Sequence, residues 1–291
     1  MNTKWIVPLE AAGPQDRPRI GGKGYALYRL QAVGFPVPPA VCVTTALYRA
    51  YLSRSGVGER ILMELNRKQF NDLRWEEIWD SALRIRNLFL RKGLPRALEA
   101  PLRESLHARF GDAPVAVRSS APEEDAAAVS FAGLHESFLN VRGAEAIIES
   151  IRKVWASLWS DAALLYRREL RLDPAVSRMA VLVQRMVHAD RSGVAFGIDP
   201  RGANDNLAIV EAVPGPCHLL VDGAADPDRW EVRRDTGEVV AWRPGDRDDA
   251  PVVRKSLPLL DGEELNAVLE AIRKIEDLFR WAPDVEWTDR S

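Results

Sequence analysis

The side chains in this sequence best suited to chemistry are few and lie far apart. Lys23 stands in Ile20-Gly-Gly-Lys-Gly24, Arg118 precedes Ser119 and Ser120, and two carboxylates alternate in Asp284-Val-Glu286. A guanidinium presents a planar fork of donors that suits phosphate oxygens, and a lysine ammonium is a compact charge for the same kind of group. Carboxylates two apart on a strand share a face, an arrangement that is costly unless a cation sits between them. These types could hold an anion at the first two places and a cation at the third. Each also has a plain structural reading. Arg118 can pair with Glu123, Glu124 or Asp125 in an ordinary hairpin, Lys23 can be a solvated lysine at a glycine turn, and Asp284 with Glu286 can be an exposed acidic strand end.

The elements that must position these residues can be read from pattern. Val115 to Val117 opens a β-type run after Pro114, and Ala121-Pro122 with the acidic cluster behind it forces a turn. A small-residue flap containing Ser130 and Gly133 follows, then a second strand from Ser137 to Val141, so the unit is two strands joined by a long loop. Around Lys23, Gly21 and Gly22 allow close backbone approach to a ligand, and Leu27, Tyr28 and Leu30 give a helical face that ends near Gly34. This is not a Walker A loop, because Arg17 stands where the first glycine belongs and Gly24 where a magnesium-binding hydroxyl belongs.

From about residue 60 to 110 the pattern is helical, an insert or subdomain in which Trp75 and Trp79, four apart, are expected to pack in a core. Ile147, Ile151, Val154, Trp155 and Leu158 mark a helix from Ala144 to Trp159, and a second runs from Asp161 to about Leu170. Met179 to Val187 is an apolar strand carrying Gln184, and Leu207 to Val213 brings out Glu211. Asp235-Thr-Gly-Glu238 turns a hairpin. Asp261 and Glu264 form a capping box for a last helix that leads to Asp284.

Composition sets bounds. The 291 residues suffice for one large domain or two lobes, and a formal net charge of −2 without long runs of one sign argues against nucleic acid or an anionic membrane as partner. Cys42 and Cys217 lack CxxC spacing and are expected to be unpaired. No leader pattern or membrane-length apolar window is present, so a cytoplasmic location is expected.

The run Val117-Arg-Ser-Ser-Ala-Pro-Glu-Glu-Asp125, with Ser130-Phe-Ala-Gly133, Asn140-Val-Arg-Gly143 and a tryptophan-bearing helix, resembles the nucleotide-binding domain of the phosphoenolpyruvate synthase and pyruvate phosphate dikinase family. Rifampicin phosphotransferases and glucan/water dikinases carry similar domains. The resemblance implies an α+β ATP-grasp fold with mixed or antiparallel sheets: a first lobe over 1–180, including the helical insert, and a second over 181–291. It implies binding of ATP with Mg2+ between the lobes and, in a complete enzyme, phosphoryl transfer to a histidine on a swivelling domain. By the same resemblance Lys23 and Arg118 hold phosphates and act in catalysis. Ser130 and Gly133 belong to the closing flap. Gln184 and the backbone of Met186 and Val187 hold the base, Glu211 joins the cofactor-binding set, and Asp284 with Glu286 holds the metal.

Two departures stand against the family pattern. Pro214 to Gly223 lacks the second half of the Gly-Leu-Gly-Glu loop, and the sequence ends at Ser291 before a Gln-x-Arg strand. None of His107, His135, His188 or His218 has the Thr-x-His setting of the phosphohistidine domain, so that domain and the acceptor-substrate domain are expected to lie outside this chain. Rival readings are a catalytically incomplete nucleotide-binding module and the ATP domain of a rifampicin-type antibiotic kinase.

Overall fold

A computed structural model describes residues 5–122, 125–126, 129–130, 135–202, 205–246 and 257–289. The chain forms two compact units, Met1–Met186 and Val187–Ser291.

The first unit is built on a five-stranded sheet of β1 (Ile6–Pro8), β2 (Ala40–Val43), β3 (Val115–Ser120), β6 (Ser137–Val141) and β7 (Ala180–Arg185). Its order is β1-β2-β7-β3-β6, and all neighbours are antiparallel. Between β3 and β6 the connection carries a small hairpin of β4 (Asp125–Ala126) and β5 (Val129–Ser130). Alternation along the strands gives the sheet two different faces. Val41, Val43, Val115, Val117, Val181 and Val183 point into the main core, where they meet helices α2 (Thr45–Ser55), α4 (Trp75–Arg91), α5 (Arg96–Phe110) and α6 (Ala144–Ser157). The opposite face is partly covered by α1 (Arg17–Ala32), whose Ile20 packs with Val7, Ala40, Cys42 and Leu182.

Three sequence expectations change here. The boundary falls after Met186 rather than after residue 180, because β7 is the central strand of the first sheet, paired on both sides. The helical stretch, including α3 (Val57–Leu65), is not a separate subdomain, since Ile61, Ile78, Ile85, Phe89, Leu98 and Leu106 share one core with the sheet valines. Trp75 and Trp79 are not in that core; they are 58% and 48% exposed. On α4 the inward positions are Ile78, Ala82, Ile85 and Phe89, and Trp79 stands about 100° around the helix from Ile78. The apolar arc of α4 is wider than the part the core covers.

At the centre of this core Trp155 on α6 stacks on Tyr51, ring centroids 5.2 Å apart, and Tyr48 meets it edge-on at 5.6 Å. Trp159 donates its indole N–H to the Tyr48 hydroxyl at 3.1 Å, which satisfies both polar groups in a buried setting. A further helix, α7 (Asp161–Glu169), follows α6 as the pattern required.

The second unit is also a five-stranded antiparallel sheet. It is built from β8 (Arg191–Phe196), β9 (Leu207–Pro214), β10 (Asp228–Arg233), β11 (Val239–Arg243) and β12 (Asp284–Asp289), in the order β11-β10-β9-β8-β12. A four-residue helix, α8 (His218–Val221), follows β9 in the loop that departs from the family pattern. Helix α9 (Gly262–Phe279) lays Leu265, Leu269 and Ile272 on Ala195, Val210, Ala212, Trp230 and Val232. Its capping box is as the sequence indicated, with Glu264 N–H donating to Asp261 and Asp261 N–H to Glu264, both at 2.9 Å. Arg191 joins three elements by donating to Glu264 on α9, Asp289 on β12 and the Leu259 carbonyl. Gly193 is required where Trp287 crosses the sheet, since a Cβ there would lie 2.6 Å from that ring and 1.9 Å from the Glu211 carbonyl oxygen. Each unit is α+β, with helices packed on a five-stranded antiparallel sheet, the fold class that the sequence implied.

Candidate functional site

In the first unit the Lys23 and Arg118 motifs are joined by a backbone knuckle. Gly21, with φ 75° and ψ 177°, breaks α1 into two helical pieces, so Lys23 stands at the start of the second piece. Gly22 N–H donates to the Ala121 carbonyl at 2.9 Å, Gly24 N–H to the Ser120 hydroxyl at 3.0 Å, and that hydroxyl donates to the Ile20 carbonyl at 2.7 Å. The close backbone approach that the glycines permit is therefore to Ser120 and Ala121. The Ser120 hydroxyl is fully buried and spent on the knuckle, which gives it a structural task.

Arg118, half-buried, lies two residues before Ser120 on the same sheet face. It sits opposite Leu182 on β7, and Gln184, two residues further along β7, shares its face as a diagonal neighbour, a spacing of about 7–8 Å. Gln184 is flanked by Ala116 and Ala40, small side chains that leave room above them, and its amide has no partner among the described residues.

Met186 and Val187, expected to hold the base, follow β7. Met186 already donates its N–H to the Pro114 carbonyl at 2.9 Å, and its sulfur accepts from Asn140 N–H at 2.9 Å. Its N–H is therefore not available to a base edge. Val187 is 38% exposed and uses neither backbone group within the described residues. Ser130 lies in β5 with its backbone paired to Asp125. Gly133 lies outside the described residues, as do Glu123 and Glu124, the alternative partners of Arg118.

In the second unit Asp284 and Glu286 both point to the exposed side of the edge strand β12, with backbone positions about 7 Å apart. Rungs of the sheet extend that face. Glu286 is opposite Val194, Val194 opposite Glu211, and Glu211 opposite Arg229, so Glu211 stands about 10 Å across from Glu286 on the face away from α9. Its carboxylate is held by Arg229, which also approaches Glu231 at 3.8 Å; Glu231 in turn meets Arg201 at 3.0 Å, and Arg201 meets buried Asp199 at 2.8 Å. The Arg201 hydrogen bonds hold the Asp199 carboxyl below the usual carboxylate range. Among the described residues no three His, Cys, Asp or Glu side chains converge on one point. Two exposed carboxylates on one face nevertheless suit Mg2+, which takes hard oxygen ligands and fills most of its shell with water and phosphate oxygens.

The family profile described as "Pyruvate phosphate dikinase, AMP/ATP-binding domain" matches residues 17–291. The chain belongs to that family. A probable phosphoenolpyruvate synthase of Methanothermobacter thermautotrophicus is 32% identical over 302 residues, spanning 98% of this chain and 44% of the relative. Phosphoenolpyruvate synthase of Aeropyrum pernix is 32% identical, with 98% and 35% covered, and rifampicin phosphotransferase of Streptomyces sviceus 34% identical, with 98% and 34% covered. The chain spans less than half the length of these relatives. As a member of that family, the chain is an AMP/ATP-binding domain.

Sequence reasoning missed Arg229, Glu231, Asp199 and Arg201. Arg229 follows Pro227-Asp228 without a distinguishing pattern; only the antiparallel register of β9 and β10 sets it against Glu211.

Proposed function

We propose that this chain binds magnesium–ATP and supplies the nucleotide to a larger phosphotransferase of the phosphoenolpyruvate synthase and dikinase kind, which carries a phosphoryl group to a histidine on another domain. The observation that supports it most is the knuckle linking Gly24 to Ser120 across 96 positions of sequence, because it holds Lys23 beside the strand that bears Arg118. Phosphoryl transfer depends on positioning and on neutralising charge that spreads over the phosphate oxygens. Lys23 and Arg118 do this on the protein's side. Gln184, the Met186 carbonyl and the Val187 backbone offer donors and acceptors to an adenine edge. The flap of Ser130 and Gly133 excludes water, since hydrolysis competes. Glu211 enters through Arg229, whose charge it fixes on the sheet face. Asp284 and Glu286 hold Mg2+, which when bound offsets phosphate charge.

No helix among the described residues is long and apolar enough to cross a membrane, and a cytoplasmic location fits this reading. A second reading, the ATP domain of a rifampicin-type kinase, is favoured by the 34% identity to the Streptomyces sviceus enzyme.

The test is the melting temperature with ATP and magnesium against ATP and EDTA. A ligand at about a hundred times its dissociation constant stabilises the fold by about 2.7 kcal/mol. A magnesium-dependent rise is expected in the wild type and should be lost in Lys23→Ala and Arg118→Ala, with their unliganded melts near wild type. Equal rises in all three proteins would remove the site.

A further inference from the structure

Helix α4 presents an apolar stripe to solvent. Trp75, Trp79, Leu83 and Leu90 are 58, 48, 47 and 44% exposed. At about 100° per residue they fall within an arc of about 80°, with Arg86 among them. Trp75 and Trp79 border a shallow depression shared with Arg74, Glu76, Glu77 and Asp80. Tryptophan is a highly buried residue on average and is enriched at the centres of interfaces, so two on one exposed ridge call for a partner.

The charges beside the stripe say which partner. Glu76 and Asp80 lie toward the N-terminal end, Arg84 and Arg91 toward the C-terminal end, and Lys92 follows. Asp80 and Arg84 pair within the helix and Arg86 pairs with Glu136, but Glu76, Arg91 and Lys92 have no ion pair among the described residues. Glu76 and Arg91 stand on the same flank of the stripe. When two helices pair antiparallel, like flanks face each other and opposite ends meet. A parallel pairing would instead put the two Glu76 side chains at one level on opposite flanks, and the two Arg91 side chains likewise, with no pair formed.

We propose that this face is a self-association surface, on which α4 of a second copy of the chain lies antiparallel about a twofold axis near Leu83. Leu83 then meets its own image, Trp75 of one copy lies over Leu90 of the other, and Glu76 pairs with Arg91 at both ends. This is a closed, isologous contact, the commonest form of homodimer. The helix has 17 residues, about 25 Å of length, so the buried area falls at the small end of specific interfaces and the dissociation constant in the micromolar range.

Sedimentation equilibrium of the purified chain, from micromolar to several hundred micromolar, tests this. A monomer–dimer equilibrium is expected, and Trp79→Glu should weaken it by about thirty-fold or more, as loss of a central interface tryptophan does, while the melt and circular dichroism stay those of wild type. Glu76→Arg alone and Arg91→Glu alone should each weaken the dimer. The double variant, which exchanges the two charges, should restore it. A chain that stays monomeric throughout leaves the stripe to another occupant and overturns the proposal. So does a dimer indifferent to Trp79→Glu, and a charge exchange that fails to restore association overturns the antiparallel geometry.

Discussion

Gly21→Ala is the sharpest single test of the knuckle that joins Lys23 to the Arg118 strand. Two costs add at this position. With φ 75° and ψ 177° the residue occupies backbone space that is essentially glycine's alone, and holding an alanine there costs about 1–3 kcal/mol. The new Cβ would also stand 1.9 Å from the Ser120 carbonyl oxygen and 2.5 Å from its hydroxyl, so the knuckle must lift away from β3. Lifting breaks the bonds from Gly22 to Ala121 and from Gly24 to Ser120 and leaves a buried hydroxyl unpartnered, at about 1–3 kcal/mol more. Gly56→Ala is the control, because Gly56 also has positive φ, 74°, but faces open space. In a unit of 186 residues each kcal/mol moves the melting temperature by about 2–4 °C. Differential scanning calorimetry should therefore show Gly21→Ala several degrees below Gly56→Ala. ATP titration should show it weakened, with Gly56→Ala unaffected. If the two variants melt together and bind ATP alike, the knuckle neither presses on Ser120 nor positions Lys23.

Two further expectations concern the first unit's interior. Tyr48→Phe removes the acceptor of the Trp159 indole N–H and leaves that donor stranded in the core, which should lower stability by about 1–3 kcal/mol in urea unfolding; a neutral result would mean the indole finds another partner. Burial, assisted by the negative charge of Asp16, pushes the Cys42 thiol up to about 12, so the folded chain keeps this proton at pH values where the unfolded chain, near 8.5, has lost it. Its contribution is complete below pH 8.5 and declines as pH rises toward 12. The stability advantage of wild type over Cys42→Ala should thus shrink by up to about 1.4 kcal/mol per pH unit above 9, and a difference constant from pH 7 to 11 would contradict this.

Much of the fold could be read from the amino-acid order because it rests on local pattern. The α6 stripe from Ile147 to Leu158, the Asp261–Glu264 box and the β10–β11 hairpin through Asp235 to Glu238 all lie within a few residues of the groups that define them. The face shared by Asp284 and Glu286 follows from the two-residue period of a strand, whatever the strand pairs with.

What the tertiary structure alone decided depends on contacts between distant segments. Nothing local to Gly21 says that Ser120 lies against it, and nothing near Met186 says that Pro114 takes its N–H. Register across three strands, not spacing along one, sets Glu211 on the face of Glu286 and closes Arg229 onto it. The side of α4 that is buried was also beyond local reading. Its apolar residues span more of the helix than one core can cover, and the sheet and α6 selected Ile78, Ile85 and Phe89 while leaving Trp75 and Trp79 in solvent. Periodicity along one segment is a property of the sequence; which neighbour fills each face is a property of the packed whole.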